Sequence, residues 1–122
     1  MNGRERLDGQ IRPCLSMADL TVVVAGGIRL EILKSLLLAS RNVTSLADDL
    51  ELDVSMVSHN LRILRDNGLV KAQRRKQKRL YHLTDRVRGS RNGEFVQLSI
   101  RSEQGEAVVF HLLTSDRRCD AK

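Results

Sequence analysis

The stretch at residues 54–67, VSMVSHNLRILRDN, constrains the fold more than any other part of the chain. At about 3.6 residues per helical turn, Val57, Leu61 and Leu64 share a narrow arc and form a face to be buried. Ser55, Ser58, His59, Arg62 and Arg65 fall on the opposite side, which holds no acid until Asp66 near its far end. A surface helix shaped for solubility mixes Glu with Lys. This one offers hydroxyls, an imidazole and guanidiniums, the groups that reach base edges and phosphates in a major groove. Asp53 stands where an N-cap is needed, and Gly68 where a left-handed C-cap is needed.

The preceding segments supply partners for that helix. IRLEILKSLLLAS, residues 28–40, gathers Ile32, Leu33, Leu36 and Leu37 at helical spacing and leaves Arg29, Glu31 and Lys34 to solvent. TSLADDLE reads as a short helix capped by Thr44 or Ser45, with Asp48 and Asp49 favouring its N-terminal half. Earlier, SMADLTVVVAGG suits a short helix from Ser16 to the Gly26–Gly27 pair, with Met17, Leu20 and Val24 as its apolar stripe. The run from Val22 to Val24 suits a strand equally well. Two helices joined by a tight turn, the second with a polar, cationic face, make a helix-turn-helix.

Charge placement points the same way. The chain carries a net +6, and residues 69–91 hold Lys71, Arg74, Arg75, Lys76, Lys78, Arg79, Arg86, Arg88 and Arg91 against Asp85 alone. The flanking residues are slightly acidic, so the entire excess sits in one short segment. Concentrated cations suggest a polyanion, because phosphate contacts release condensed counterions. LVKAQRR and RLYHLT are strand-like and are joined through Lys76–Lys78, which makes a hairpin with a cationic tip, a wing beside the recognition helix. The predicted DNA contacts are Thr44, Ser55, Ser58, His59, Arg62, Arg65, Arg74, Arg75, Lys76, Lys78 and Arg79. With Tyr81, Phe95 and Phe110 as its only aromatics, the chain is poorly equipped to stack single-stranded bases.

VTSLADDLELDVSMVSHNLRILRDNGLVKAQRRKQKRLYHLT resembles the core of bacterial ArsR/SmtB-type winged-helix repressors. VSHNLRILRDNGLV, the RLYHLT strand and IRLEIL carry the likeness at several fixed spacings, over about half the chain. The resemblance implies a homodimer reading an inverted-repeat operator under the control of an effector, with Ser55, Ser58, His59 and Arg62 facing the groove. The chain also departs from the family. NVTSLADDL lacks the Cys-x-Cys-type metal site common there, and the expected final helix is replaced by alternating residues around Val96, Leu98 and Ile100. Strands are predicted at 87–91, 94–101 and 106–113, turning at Asn92–Gly93 and at residues 102–105, with a five-strand continuation from the wing as one option.

The fold expected is therefore α+β: a winged helix-turn-helix followed by a C-terminal β-meander. The organisation read from sequence is a mobile arm at 1–15, the winged helix at 16–83, the meander at 84–113 packed on the same domain, and a tail at 114–122. No apolar run approaches the ~20 residues of a membrane span, and no signal-peptide pattern follows the first residues, so a cytoplasmic protein is expected. No metal site or cofactor is predicted: His59 has no ligand partner at helical spacing, and His82 and His111 read as ordinary surface or half-buried residues. No phosphate loop, HExxH, CxxC or nucleophile elbow suggests an enzyme. Cys14 and Cys119, the latter beside Arg117 and Arg118, leave open a dithiol redox sensor. Two further alternatives are a protein-interaction module that pairs through a sheet edge and a binder of double-stranded RNA.

Overall fold

The computed structural model describes residues 17–25 and 27–113. The predicted arm and tail, with Cys14 and Cys119, lie outside the described residues. Four helices come first: α1 (Met17–Val24), α2 (Gly27–Leu38), α3 (Val43–Leu50) and α4 (Val54–Asp66). Five strands follow: β1 (Val70–Arg75), β2 (Lys78–Leu83), β3 (Val87–Asn92), β4 (Phe95–Arg101) and β5 (Ala107–Leu113).

One aliphatic core joins the helices to the strands. Leu20 and Val24 of α1, Ile32, Leu33 and Leu36 of α2, Leu46 of α3 and Val57, Leu61 and Leu64 of α4 are all buried in it. The helical reading of the Val22–Val24 run wins because the 3.6-residue period buries Leu20 and Val24 and leaves Val22 in solvent. Sheet residues Val87, Val96, Leu98 and Ile100 complete the same core. Where α2 crosses β3, Leu37 lies so close to Gly89 that any Cβ there would come within 2.7 Å of it.

Several local expectations are corrected. Helix α2 ends at Leu38 instead of Ser40, because Arg41 pairs with Tyr81: Arg41 N–H donates to the Tyr81 carbonyl and Tyr81 N–H to that of Arg41. The cap of α3 is Asn42, whose side chain accepts from Ser45 N–H at 2.8 Å, which places Thr44 and Ser45 inside the helix. Asp48 and Asp49 therefore fall in the last half of α3, away from its positive end, and Asp49 is instead ion-paired with Arg41. Asp53 has the extended backbone of an N-cap but makes no side-chain cap bond. Arg29 is not left to solvent. It donates to the Val23 carbonyl and to Asn60 Oδ1 at 2.9 Å, bracketing α1 against the buried side of α4.

The strands form two separate antiparallel sheets, β1-β2 and β3-β4-β5, and not one continuous sheet. The break comes at Thr84, whose N–H and hydroxyl turn back to the carbonyls of Leu69 and Gly68. In the meander, Leu98 lies opposite Gly89 on one side and the half-buried Phe110 on the other, so the apolar row of β4 extends onto β5, while on β3 only Val87, opposite Ile100, is buried. The β4–β5 turn is closed by Ser102, whose hydroxyl accepts from the N–H groups of Gln104 and Glu106.

Candidate nucleic-acid interface

Helix α4 is held by its apolar side. Val57, Leu61 and Leu64 have no exposed surface, and Asn60, 5% exposed, satisfies its amide through Met56 O and Arg29. Fixing one side of a helix fixes the direction of the other. Ser55, Ser58, His59, Arg62 and Arg65 are all exposed, on an arc of about 120° at 3.6 residues per turn. Two residues on the open side were not singled out from sequence: Val54 and Met56, respectively 47% and 42% exposed. Apolar groups on such a face suit thymine methyls. Their exposure depends on how α4 sits on the core, which hydrophobicity alone conceals.

Thr44 is exposed in the first turn of α3, one helix away from α4. On the wing, Arg74, Arg75, Lys76, Lys78 and Arg79 are all exposed. The register sets Arg74 opposite Arg79, and Arg75 opposite Lys78, with Lys76 in the loop between. Strand alternation therefore puts Arg74 and Arg79 on one face of the hairpin and Arg75 and Lys78 on the other. Like charges directly opposite destabilise a hairpin, so this tip is electropositive on both faces at a cost in stability. A polyanion removes that cost.

The wing root is fastened on two sides. Val70 is buried beneath it, and Arg41 forms a single-residue antiparallel bridge to Tyr81 of β2. Arg41 was not assigned any role from sequence. Its backbone anchors the wing while its side chain holds Asp49 of α3, so one residue ties the helix-turn-helix to the hairpin. His82, half-buried on β2, meets the Ser40 hydroxyl through Nδ1 at 3.0 Å. His59 and His111 are exposed, and among the described residues no group of three His, Cys, Asp or Glu side chains gathers at metal-binding range. No helix among the described residues is long and apolar enough to cross a membrane.

A helix-turn-helix with a polar recognition face and a cationic two-stranded hairpin at its end, bridged back to the helices at Arg41, defines a winged-helix DNA-binding protein. Residues 27–72 match the family model described as bacterial regulatory protein, arsR family. HlyU from Vibrio cholerae is 37% identical, with 53% of this chain covering 71% of that one at a TM-score of 0.51. A homodimeric winged helix-turn-helix DNA-binding domain from Mycobacterium bovis, a possible ArsR-family transcriptional regulator, is 32% identical. There the match covers 54% of this chain, spans only 61% of the other's length and has a TM-score of 0.51. The transcriptional repressor BigR from Xylella fastidiosa is 25% identical, with coverages of 56% and 67% and a TM-score of 0.53. No curated protein matches.

The chain belongs to the ArsR family and is a DNA-binding transcriptional regulator; the family and its structural relatives are regulators, not enzymes. The family match ends at residue 72, so the meander lies beyond the matched residues.

Proposed function

We propose that the protein is a cytoplasmic, homodimeric repressor that reads an inverted-repeat operator in double-stranded DNA. The observation that carries this reading is the exposed face of α4, free of acids up to Asp66 and followed directly by the cationic wing. Ser55, Ser58, His59 and Arg62 reach base edges. Arg65, Thr44 and the wing residues Arg74, Arg75, Lys76, Lys78 and Arg79 hold phosphates. The winged helix of residues 16–83 and the meander of residues 84–113 act as one unit on a shared core, which includes both Leu61 and Leu98. Dimerisation is supported by the homodimeric Mycobacterium bovis domain and repression by BigR, each a relative of the winged-helix part.

The test is a titration of operator and unrelated duplexes at two ionic strengths, with the operator first selected from genomic fragments. The expected result is salt-dependent binding with a marked preference for the operator, and a sedimentation mass of two chains. Replacing Arg62 with Ala is expected to cost about 1–3 kcal/mol at one base position and relax specificity there. Operator affinity unchanged by Arg62→Ala would remove that residue from the reading head.

A further inference from the structure

The basic segment does not end with the wing. Arg101 N–H donates to the Arg86 carbonyl at 2.9 Å, which carries the β3–β4 ladder one residue past the Val87–Ile100 pair. Arg86 therefore stands opposite Arg101, and Arg88 opposite Ser99. Alternate residues on a strand share a face, so all four lie on the side of the meander away from the buried Val87, Leu98 and Ile100. With Asp85 they line a hollow of about 300 Å³. Arg86, Arg88 and Arg101 set three cations around it against one carboxylate, and Arg86 and Arg101 stand directly opposed, an arrangement whose cost in stability an anion would remove.

Arg86 also reaches the recognition helix. Its Nε donates to the Arg101 carbonyl at 3.1 Å, and its Nη1 to the Asn67 carbonyl at 3.2 Å, immediately after α4. The guanidinium crosses Gly68 so closely that a Cβ there would lie 2.5 Å from Nη1. Gly68, with φ of +79°, thus serves both the left-handed exit from α4 and the passage of Arg86.

We propose that this hollow binds a small phosphate-bearing anion, and that the anion acts as an effector by drawing Arg86 away from Asn67. Guanidinium forks match phosphate oxygens bidentately, so a phosphate offers Arg86 two parallel bonds between opposite charges where the Asn67 carbonyl accepts only one. Occupancy redirects the Arg86 donors to the ligand, frees the Asn67 carbonyl and loosens the joint between α4 and the wing. The direction is a loss of DNA affinity. A concave site at the wing root suits a small ligand, whereas the wing offers its own cations to a duplex on a projecting tip. The proposal rests on the DNA-binding reading for its consequence, but not for the binding itself.

The experiment uses inorganic pyrophosphate as the probe, at constant ionic strength, on the full chain and two double variants. One carries R88Q and R101Q in the hollow; the other carries K76Q and K78Q in the wing. All four positions are exposed, and thermal melts verify folding. Calorimetry is expected to show saturable pyrophosphate binding by the native chain and the wing variant, weakened at least tenfold in the hollow variant. Saturating pyrophosphate is expected to weaken duplex binding several-fold in the native chain and to leave the hollow variant, which keeps native duplex affinity, unaffected. Pyrophosphate binding retained in the hollow variant overturns the proposal. So does a hollow variant that loses duplex affinity, which would make the hollow part of the DNA interface. A native chain that binds pyrophosphate but no duplex would instead overturn the DNA-binding reading and leave the anion site standing.

Discussion

The wing and the C-terminal meander are both antiparallel, and the wing hairpin and first meander hairpin each turn through two residues, Lys76–Gln77 and Gly93–Glu94. In each loop the first residue has positive φ, +58° at Lys76 and +62° at Gly93. The meander puts glycine there, which meets that geometry without a Cβ penalty, and buries an aliphatic row behind it. The wing puts lysine there, which is strained, and sets arginine against arginine behind it. Near its turn the meander hairpin follows the rules of a stable hairpin, and like charges face each other only at its far end, at Arg86 and Arg101. The wing departs from the same rules wherever departure adds a cation, the pattern of a surface shaped by contact with a polyanion.

That contrast can be broken or sharpened by substitution. Leu98→Ala, at a fully buried position where meander meets helices, is expected to cost about 2–5 kcal/mol in denaturant unfolding. A cost below about 1 kcal/mol would mean the meander adds little to the shared core. Gly93→Ala meets no neighbouring atom, so only its backbone strain counts, and a loss of about 1–2 kcal/mol is expected. The mirrored change, Lys76→Gly, should raise stability by about 0.5–1 kcal/mol while weakening duplex binding. Opposite signs at these two equivalent positions are the signature of the comparison; equal signs would erase it. Smallest in stability is Lys78→Gln, within about 0.5 kcal/mol because the side chain is exposed. Its effect should appear instead as a salt slope of duplex binding reduced by about one, alike for all sequences.

Sequence and structure agree where periodicity and side-chain chemistry point the same way. Val57, Leu61 and Leu64 repeat at helical spacing and Val96, Leu98 and Ile100 at strand spacing, and both sets are buried. The turn at Ser102 follows from residue type for the same reason, while the turn predicted at Asn92–Gly93 falls one residue on, at Gly93–Glu94, because Asn92 pairs with Phe95. The misses are long-range. Arg41 and Arg29 look like surface cations in sequence, yet each is claimed by a partner on another element, Asp49 and Asn60. Asn42 caps α3 in place of Thr44 or Ser45 because the bridge to Tyr81 fixes where that helix begins. Within the candidate interface, the polar side of α4 was visible from spacing, but Val54 and Met56 were not. The cluster at Arg86, Arg88 and Arg101 depends on strand register, which no local pattern reveals.

The Arg41–Tyr81 bridge has a consequence for the order in which the chain assembles. The β1–β2 hairpin closes between neighbours in sequence, but the bridge cannot form until α3 and α4, which lie between its two residues, have folded back. Its loop-closure entropy is met only by a finished helix-turn-helix. The amide hydrogen of Tyr81, donated to Arg41 at 2.8 Å, is therefore a reporter of the whole unit. Its exchange with solvent deuterium should follow global unfolding, while amides at the wing tip exchange through local fraying.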